Sequence, residues 1–283
     1  MRKALKDKSR FSISSIAMNL LFVVMAIVML IPFFSIFLAS LRPGTEIMRQ
    51  GIGLNVDTST MSFDNYKYLF TDGRYFTWFF NSFLITAIQI ILTLLVSAFV
   101  AYGFAMYDFK FKNTLFICVL LIMMIPLEII ILPLYQLMIK IDLMDSYWGV
   151  ILPSIAAPLP IFFFRQYLSG IPKDFLGAGR VDGCNEFGIY FKIIMPLMKP
   201  AFAAMGIFVG MNSWNNYLWP MIVLSDKNKL TLPIGLGSLL TPYGNNYDLL
   251  ISGAVFSIVP IVILFMLFQK QFIAGLTAGG VKG

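Results

Sequence analysis

The sequence predicts an all-α membrane protein with six transmembrane helices, and two observations lead to this fold class. Apolar residues make up 59% of the 283 residues and charged residues only 12%, with a mean hydropathy of +0.82. A soluble domain of this length cannot bury that much apolar surface in one core. The apolar residues also form long runs without strict alternation, which suits helices in a bilayer and does not suit barrel strands.

Six apolar runs are close to or above the ~20 residues that cross about 30 Å of hydrocarbon as a helix. In chain order they cover residues 11–41, 75–107, 113–139, 146–164, 200–225 and 249–269. Glu128, in the third run, is the single ionisable residue among them. The first run is too long for the apolar core of a cleaved signal peptide and lacks a cleavage pattern, so we expect it to remain as the first helix.

The distribution of Lys and Arg predicts the orientation. Fourteen of the 21 basic residues lie in the N-terminal segment, the loops around residues 110 and 165–199, and the C-terminal tail. Basic residues concentrate on the cytoplasmic side of membrane proteins, so both termini are predicted to be cytoplasmic. The net charge of +7 then reflects topology and not a nucleic-acid surface. We expect a cytoplasmic segment at 1–15, a transmembrane domain at 16–272 and a cytoplasmic tail at 273–283.

The polar composition argues against an enzyme. The sequence contains no histidine, and its two cysteines, Cys118 and Cys184, are predicted to lie at different depths. No metal site, His-based triad or disulfide is therefore expected. The chain also lacks the Gly-x-x-x-x-Gly-Lys-Ser/Thr phosphate cradle, so it is not expected to hydrolyse ATP or to bind a cofactor itself.

A short helix is predicted on the inner side, between the fourth and fifth runs. Pro172 suits a first helical position, and Asp182 followed by glycine marks the end about ten residues later. At 100° per residue, Phe175, Ala178, Gly179 and Asp182 share one nearly flat face. Such a face suits a groove on a partner protein, and the alternative is an amphipathic helix resting on lipid headgroups.

A second helix is predicted to follow and to run directly into the fifth span, with Asn185 as its N-cap. The loop that holds both helices, at 169–196, carries a recognisable motif. It reads Gly177-Ala178-Gly179, Arg180-Val181, Asp182-Gly183-Cys184 and later Ile194-Met195-Pro196.

This motif resembles the coupling loop of bacterial ABC-importer permeases, where Glu-Ala-Ala, two residues, Asp-Gly-Ala and a later Ile-x-Leu-Pro recur. In that family the first helix docks into a cleft on an ATP-binding subunit. The resemblance implies ATPase-coupling roles for Phe175, Gly177, Ala178, Gly179, Arg180, Asp182 and Gly183. Gly177 stands where the family has glutamate and Gly179 where it has alanine, so Asp174 or Asp182 is the alternative charged contact.

The resemblance covers nearly the whole chain from residue 16 onward. Pro126 and Pro133 in the third span, the WNNYLWP stretch at 214–220 and the ending FIAGLTAGGVKG resemble the second permease subunit of maltose-type carbohydrate importers. Residues 61–66 and 243–248 look closest to arabino-oligosaccharide permeases of Gram-positive bacteria.

The resemblance implies a multi-pass permease subunit of a heteromeric ABC importer for oligosaccharides in the bacterial cell membrane. Its implied partners are a second permease subunit, a dimer of ABC ATPase subunits that bind ATP and Mg, an external sugar-binding protein, the oligosaccharide and the lipid bilayer. The main alternative is a stand-alone six-helix secondary transporter or channel. Against it, the Pro-x-Asp/Glu-x-x-Lys/Arg repeats of mitochondrial-type carriers and the paired Asn-Pro-Ala motifs of aquaporins are absent from the sequence.

Polar residues within the spans are candidates for the substrate path. The Glu128 carboxylate lies at membrane depth, so it needs either a water-filled cavity such as the sugar path or a partner across the subunit interface. The alternative is a structural acid that caps the backbone groups left unbonded by Pro126 and Pro133. Asn212, Asn215 and Asn216 lie among aromatic residues, as a sugar site requires. The alternative for the asparagines is helix packing beside an aromatic belt at the membrane boundary.

Two further regions acquire roles from the resemblance. The outer loop at 225–248 is implied to contact the sugar-binding protein through Leu232, Pro233, Tyr243 and Asn245, the alternative being a loop packed on its own helices. The tail is implied to enter the ATPase dimer through Gly279, Gly280 and Lys282, the alternative being a frayed end.

Overall fold

The structure, a computed structural model, describes residues 13–54, 56–241 and 244–278. Apart from loops and one hairpin with two strands of two residues each, these residues are helical, which confirms the all-α class. The helices are α1 (Ile13–Ser40), α2 (Gly44–Gln50), α3 (Asp64–Thr71), α4 (Gly73–Met106), α5 (Lys112–Met123), α6 (Leu127–Lys140), α7 (Tyr147–Ile151), α8 (Pro158–Leu168), α9 (Asp174–Val181), α10 (Glu186–Ile189), α11 (Met195–Leu197), α12 (Lys199–Trp214), α13 (Leu218–Val223), α14 (Leu232–Gly237) and α15 (Tyr247–Ala278). A 3₁₀ turn at Leu152–Ser154 follows α7, a π-helical turn at Tyr190–Ile194 joins α10 to α11, and strands β1 (Leu240–Thr241) and β2 (Gly244–Asn245) pair antiparallel.

Within these described ranges, three helices are long and apolar enough to cross a membrane, and the number rises to six if each bent pair counts as one span. The long helices are α1, α4 and α15. The pairs bend by 101° between α5 and α6, 41° between α7 and α8, and 77° between the helix 186–197 and α12. The six predicted spans agree with this upper count, in which half of the spans are broken.

Proline accounts for the sharpest break. Pro126 precedes α6 with an extended backbone, and a proline cannot donate the hydrogen bond that would continue α5. The second inner helix leads directly into α12, as predicted for the fifth span, but the chain turns by 77° at Met198. The predicted fifth run at 200–225 is likewise divided, since α12 ends at Trp214 and α13 begins at Leu218.

Helix α4 is the central element of the fold. Its 34 residues give it a length of about 51 Å at 1.5 Å per residue. It packs against α8 and α12, and α12 packs in turn against α15. Ser97, Ala98 and Ala101 on α4 are completely buried, and such small side chains allow neighbouring helices to approach closely.

The two ends of α4 meet different loops. Near its first residue, Tyr75 and Trp78 join a buried cluster with Leu232 of the predicted outer loop and Leu249 of α15. At its other end, Tyr102 packs with Ile189 and Tyr190 of the predicted inner loop. The outer and inner loops therefore lie at opposite ends of the molecule, and Tyr75 and Tyr102 are about 40 Å apart along α4.

Large apolar surfaces remain open in the isolated chain. Every side chain from residue 16 to 34 of α1 is exposed, and so is every side chain from 121 to 130 around the break between α5 and α6. Such surfaces are stable only against lipid or against another membrane subunit.

Candidate coupling surface and translocation path

The predicted inner helix is α9, which covers Asp174–Val181. Its inward face is formed by Leu176, which is 5% exposed, and by Gly179, which is also buried. A Cβ at Gly179 would lie 2.8 Å from Cγ1 of Ile189 and 2.9 Å from Cδ1 of Ile193, so glycine permits the close approach. The prediction that Gly179 belongs to the partner-facing surface is therefore wrong, because this residue packs α9 onto the rest of the loop.

The outward face of α9 is smooth. Gly177, Ala178 and Asp182 are exposed, and the ring of Phe175 is 39% exposed. Val181, which the sequence analysis did not single out, is 88% exposed at the end of the helix. We call Phe175, Gly177, Ala178, Val181 and Asp182 the coupling surface. It presents one aromatic ring and one branched side chain on an otherwise flat helix.

Glycine at position 183 is required by the end of α9. Gly183 has φ 77°, a left-handed conformation that glycine adopts without steric cost. The Gly183 N–H donates to the Arg180 carbonyl at 3.1 Å, and the Cys184 N–H donates to the Gly179 carbonyl at 2.9 Å. These bonds satisfy carbonyl groups at the helix end, so the predicted role of Gly183 is first of all to reverse the chain.

Both ends of α9 are tied to the residues that follow α4. At the start, the Lys173 ammonium lies 2.9 Å from Oδ2 of Asp108. At the end, Nε of Arg180 donates to Oε1 of Glu186 at 2.7 Å, and the Tyr107 hydroxyl donates to Oε2 of the same glutamate. We call these contacts the α4–α9 bracket.

The bracket gives Arg180 a partner within the chain, which the sequence analysis did not identify. The two alternative charged contacts, Asp174 and Asp182, are both exposed, and neither forms an ion pair within the part of the chain that the structure describes. They remain available to a partner.

A cavity of about 910 Å³ lies beside the middle of α4. Its lining combines polar side chains with aromatic and apolar ones: Gln89, Ser154, Asn212, Asn215, Asn216, Tyr217, Trp219, Leu127, Ile130, Leu134, Pro153, Phe208, Met211 and Leu218. Gln89 is the seventeenth of the 34 residues of α4, which places the cavity halfway along this apolar helix. The three asparagines that the sequence singled out are thus brought together in one cavity.

Hydrogen bonds orient the polar groups of this cavity. The amide nitrogens of Asn212 and Asn215 donate to the carbonyls four residues earlier, at 2.8 and 2.9 Å, which leaves their oxygens as free acceptors. The side chain of Asn216 makes no hydrogen bond among the described residues. Ser213 donates to Oε1 of Gln89 at 2.9 Å and holds its amide against α12. The cavity therefore offers several amide groups that hydroxyl-rich ligands can bond.

Two of the nearby tryptophans serve packing. Trp214 and Trp219 are 4% and 3% exposed, and their indole nitrogens donate to the carbonyls of Ser257 and Gly149, both at 3.1 Å. The alternative of an aromatic belt is therefore wrong for these two tryptophans, which are buried inside the chain. Tyr217 is 44% exposed and lines the cavity.

Glu128 does not belong to this cavity. Its neighbour Leu127 lines the cavity, but Glu128 is exposed on the surface of the isolated chain. Its carboxylate has no hydrogen bond or ion pair to any described residue, and the backbone before α6 has no side-chain cap. The structure therefore supports neither a capping role nor a place on the cavity wall.

The outer loop is packed more closely than the sequence indicated. Leu232 is 1% exposed, and its N–H donates to the Ser82 hydroxyl at 2.7 Å. The prediction that Leu232 contacts a binding protein is therefore wrong, because its side chain lies in the buried cluster beside Trp78. Pro233 is half-buried. The backbone of Asn245 pairs with Leu240 in the hairpin, and Tyr243 lies outside the described residues.

The C-terminal tail is described only in part. Helix α15 continues to Ala278, so residues 273–278 of the predicted tail extend the last span as helix. Gly279, Gly280 and Lys282 lie outside the described residues.

Known proteins resemble this chain along most of its length. Residues 93–277 match the family described as binding-protein-dependent transport system inner membrane component. The chain is 54% identical over 280 residues to the arabinooligosaccharides transport system permease protein of Bacillus subtilis (strain 168), covering 99% of this chain and 100% of that protein. It is 32% identical over 282 residues to the lactose transport system permease protein of Rhizobium radiobacter, covering 100% of this chain and 98% of that protein.

A solved structure shares the fold. A chain in the crystal structure of a bacterial ABC transporter involved in the import of the acidic polysaccharide alginate aligns with a TM-score of 0.79 and 25% identity, over 92% of this chain and 96% of that one. These matches confirm the resemblance drawn from the coupling-loop motif and favour a transporter subunit over a stand-alone carrier. The chain belongs to the family of bacterial inner-membrane permease components of binding-protein-dependent transport systems.

Proposed function

We propose that this chain is one of two permease subunits in an ATP-driven importer of arabino-oligosaccharides. The observation that supports this substrate is the identity of 54% and 56% to arabinooligosaccharides transport system permease proteins of Bacillus subtilis (strain 168) and Halalkalibacterium halodurans, over 99% and 93% of the chain. The lactose permease relative, at 32% identity, is much less similar.

In this proposal ATP is hydrolysed by a dimer of partner ATPase subunits, which bind ATP and Mg, and this chain converts their motion into transport. The coupling surface docks in a cleft of one ATPase subunit. Closure of the ATPase dimer displaces α9, and the α4–α9 bracket passes the displacement to α4. Transport then follows from a shift in population between inward-facing and outward-facing states. The residues beyond Ala278 contact the ATPase dimer as a second attachment.

The sugar passes through the cavity beside Gln89. The oxygens of Asn212 and Asn215 accept hydrogen bonds from sugar hydroxyls, and the unbonded amide of Asn216 both donates and accepts. The ring of Tyr217 offers a face for the C–H side of a sugar. The exposed surfaces of α1 and of the break between α5 and α6 face the second permease subunit, which completes the path. The hairpin at 240–245 is the part of the outer loop that contacts the sugar-binding protein.

The substrate is tested by reconstituting the complete transporter in liposomes with its binding protein. We expect arabino-oligosaccharides to stimulate ATP hydrolysis and uptake more strongly than malto- or galacto-oligosaccharides of equal length. Equal or stronger stimulation by another sugar would reject the substrate, and uptake by this chain without an ATPase would reject the subunit role.

The path is tested by Asn216→Ala, with Asn228→Ala on the outer loop as the matched control. Loss of one or two neutral hydrogen bonds should raise the sugar concentration for half-maximal uptake about threefold to tenfold. The control should leave it unchanged, because the side chain of Asn228 bonds no described residue and only its backbone does, to Asn81 and Asp226. Identical uptake curves for the two variants would remove Asn216 from the path.

A further inference from the structure

A second polar cavity, of about 540 Å³, opens at the inner end of the molecule, away from the coupling surface. It lies between the end of α4, the first turn of α5 and the end of α8. Its lining residues are Asp108, Phe109, Phe111, Lys112, Asn113, Thr114 and Arg165. Neither the sugar path nor the ATPase contact uses this cavity.

Positive charge dominates the cavity. Asp108 is its one acidic lining residue, and this carboxylate already bonds Lys112 at 3.0 Å and Lys173 at 2.9 Å. Arg165 has no acidic partner among the described residues. Its Cζ lies 4.2 Å from the centroid of the Phe116 ring, and its Nε is buried without an acceptor. A guanidinium with unused donors at a membrane boundary calls for an anion.

The backbone adds donors on the same wall. Helix α5 begins after Phe111, which has φ 66° and supplies no side-chain cap. The N–H groups of the first turn, including Asn113 and Thr114, therefore have no acceptor within the helix. The positive end of a helix of 12 residues attracts an anion to these groups. The unpaired Arg165 and this helix end converge on one cavity.

The rim of the cavity is apolar. Phe111 and Leu115 are 65% and 49% exposed, and Phe109 is 43% exposed. Exposed aromatic and aliphatic side chains beside basic ones are typical of the level where headgroups meet acyl chains. A ligand for this site thus has an anionic head and apolar tails.

We propose that this cavity binds the phosphate of an anionic glycerophospholipid from the inner leaflet. Arg165 and the first turn of α5 donate to the phosphate oxygens, and the acyl chains lie along Phe111 and Leu115. Basic pockets between transmembrane helices on the cytoplasmic side recognise lipid headgroups in this way. Asp108 connects the site to Lys173 at the start of α9, so the bound lipid is one side chain away from the coupling helix.

The test uses the complete transporter in nanodiscs that contain phosphatidylcholine, a rising fraction of phosphatidylglycerol and a trace of photoreactive phosphatidylglycerol. Crosslinks to residues 109–116 are quantified by mass spectrometry. Loss of the charge-assisted bonds in Arg165→Gln should raise the half-saturating phosphatidylglycerol fraction about tenfold. The matched control Lys192→Gln removes an equal charge from the same side of the molecule and should leave it unchanged.

A second variant separates binding from folding. Asn113→Asp places an acidic group in the first turn of α5, where it favours the helix, yet it repels a phosphate. We expect this variant to assemble normally and to lose the crosslinks. Equal shifts in Arg165→Gln and Lys192→Gln would show only diffuse attraction to the membrane surface and would overturn the proposal. Displacement of the crosslinks by millimolar inorganic phosphate would identify a free-phosphate site and would also overturn it.

Discussion

Two adjacent residues of α9 should have different effects when each is replaced by alanine: one variant should weaken docking of the ATPase and the other should destabilise the helix. Phe175 lies on the coupling surface, whereas Leu176 is buried against the remainder of the inner loop. Because the two side chains are next to each other in sequence, Phe175→Ala and Leu176→Ala change the same short helix. They therefore separate docking of a partner from the stability of α9 itself.

The expected magnitudes follow from burial. An aromatic side chain of about 200 Å² that is 39% exposed has about 80 Å² left to bury on docking. At ~25 cal/mol per Å² this surface contributes about 2 kcal/mol, or about thirtyfold in affinity for the ATPase. Truncation of the buried Leu176 instead costs about 2–5 kcal/mol of packing within the chain.

The assay combines hydrogen exchange with sugar-stimulated ATP hydrolysis in the reconstituted transporter. Phe175→Ala should leave the exchange of α9 amides unchanged in the chain free of ATPase and should lower ATPase affinity about thirtyfold. Leu176→Ala should accelerate exchange across α9 before any ATPase is added. Full coupling in Phe175→Ala, or unchanged exchange in Leu176→Ala, would refute the assignment of the two faces.

Two predictions concern the outer end of the molecule. A Cβ at Gly235 would lie 2.0 Å from Cδ2 of Trp78, so Gly235→Ala should destabilise the chain by about 1–3 kcal/mol and lower its melting temperature. The Asp226 N–H and the Lys229 ammonium hold the pKa of Asp145 at about 2, below its ordinary 3.8. Because this pKa is lowered by folding, the stabilisation is complete above pH 3.8 and is lost as pH falls towards 2. Protection of the Asp226 amide from hydrogen exchange should fall over that interval, and Asp145→Ala should produce the same loss at pH 7.

Matched control variants are available for the Gly235 and the Asp145 predictions. Gly53→Ala adds a Cβ that meets no atom within 4 Å, so a melting temperature equal to that of Gly235→Ala would contradict the packing argument. Asp57 is an exposed acid on the same side whose partner is the neighbouring Ser59. Loss of Asp226 protection in Asp57→Ala would show that the effect in Asp145→Ala is not local.

Features that depend on local signals were predictable from the sequence. The start and end of α9 lie within two residues of the positions that Pro172 and Asp182 indicated. Length and hydropathy alone located five of the spans, whereas the fifth was predicted at 200–225 and its bent pair covers 186–214. The motif at 177–184 led to the family without any structure, because its small residues and turn glycine are constraints of one short helix.

Features that depend on contacts distant in sequence were not predictable. Tyr107 and Glu186 are 79 residues apart, and no periodicity relates them. Gly179 was assigned to the wrong face, because a helical wheel gives angles between residues but not the direction of the core. Leu232 was taken for a contact residue because the family resemblance gave that role to its whole loop, yet in the fold it starts a helix packed on Trp78. The prolines indicated freed backbone groups in the third span but not its 101° bend.

A single unbroken helix connects the three regions on which the proposed function depends. Tyr107 and Asp108, directly after α4, hold α9 through the bracket. Gln89, halfway along α4, lines the sugar cavity, and the Asn81 amide near its other end donates to two outer-loop carbonyls at 2.8 and 2.9 Å. The bracket contacts are exposed and therefore contribute little to stability. These contacts nevertheless fix the position of α9 relative to α4, because they hold α9 at both its ends.

A second connection between the inner end and the cavity is α12, which is bent by 77° from the helix before it. A bend absorbs displacement, whereas α4 has no proline and no break along its 34 residues. A movement of α9 should therefore reach the cavity and the outer loop together and through α4. Distance measurements between spin labels at the two ends of α4 should show no change during ATP hydrolysis, while distances from α4 to α12 change. A transporter that shortens or kinks α4 during its cycle would rule out this route.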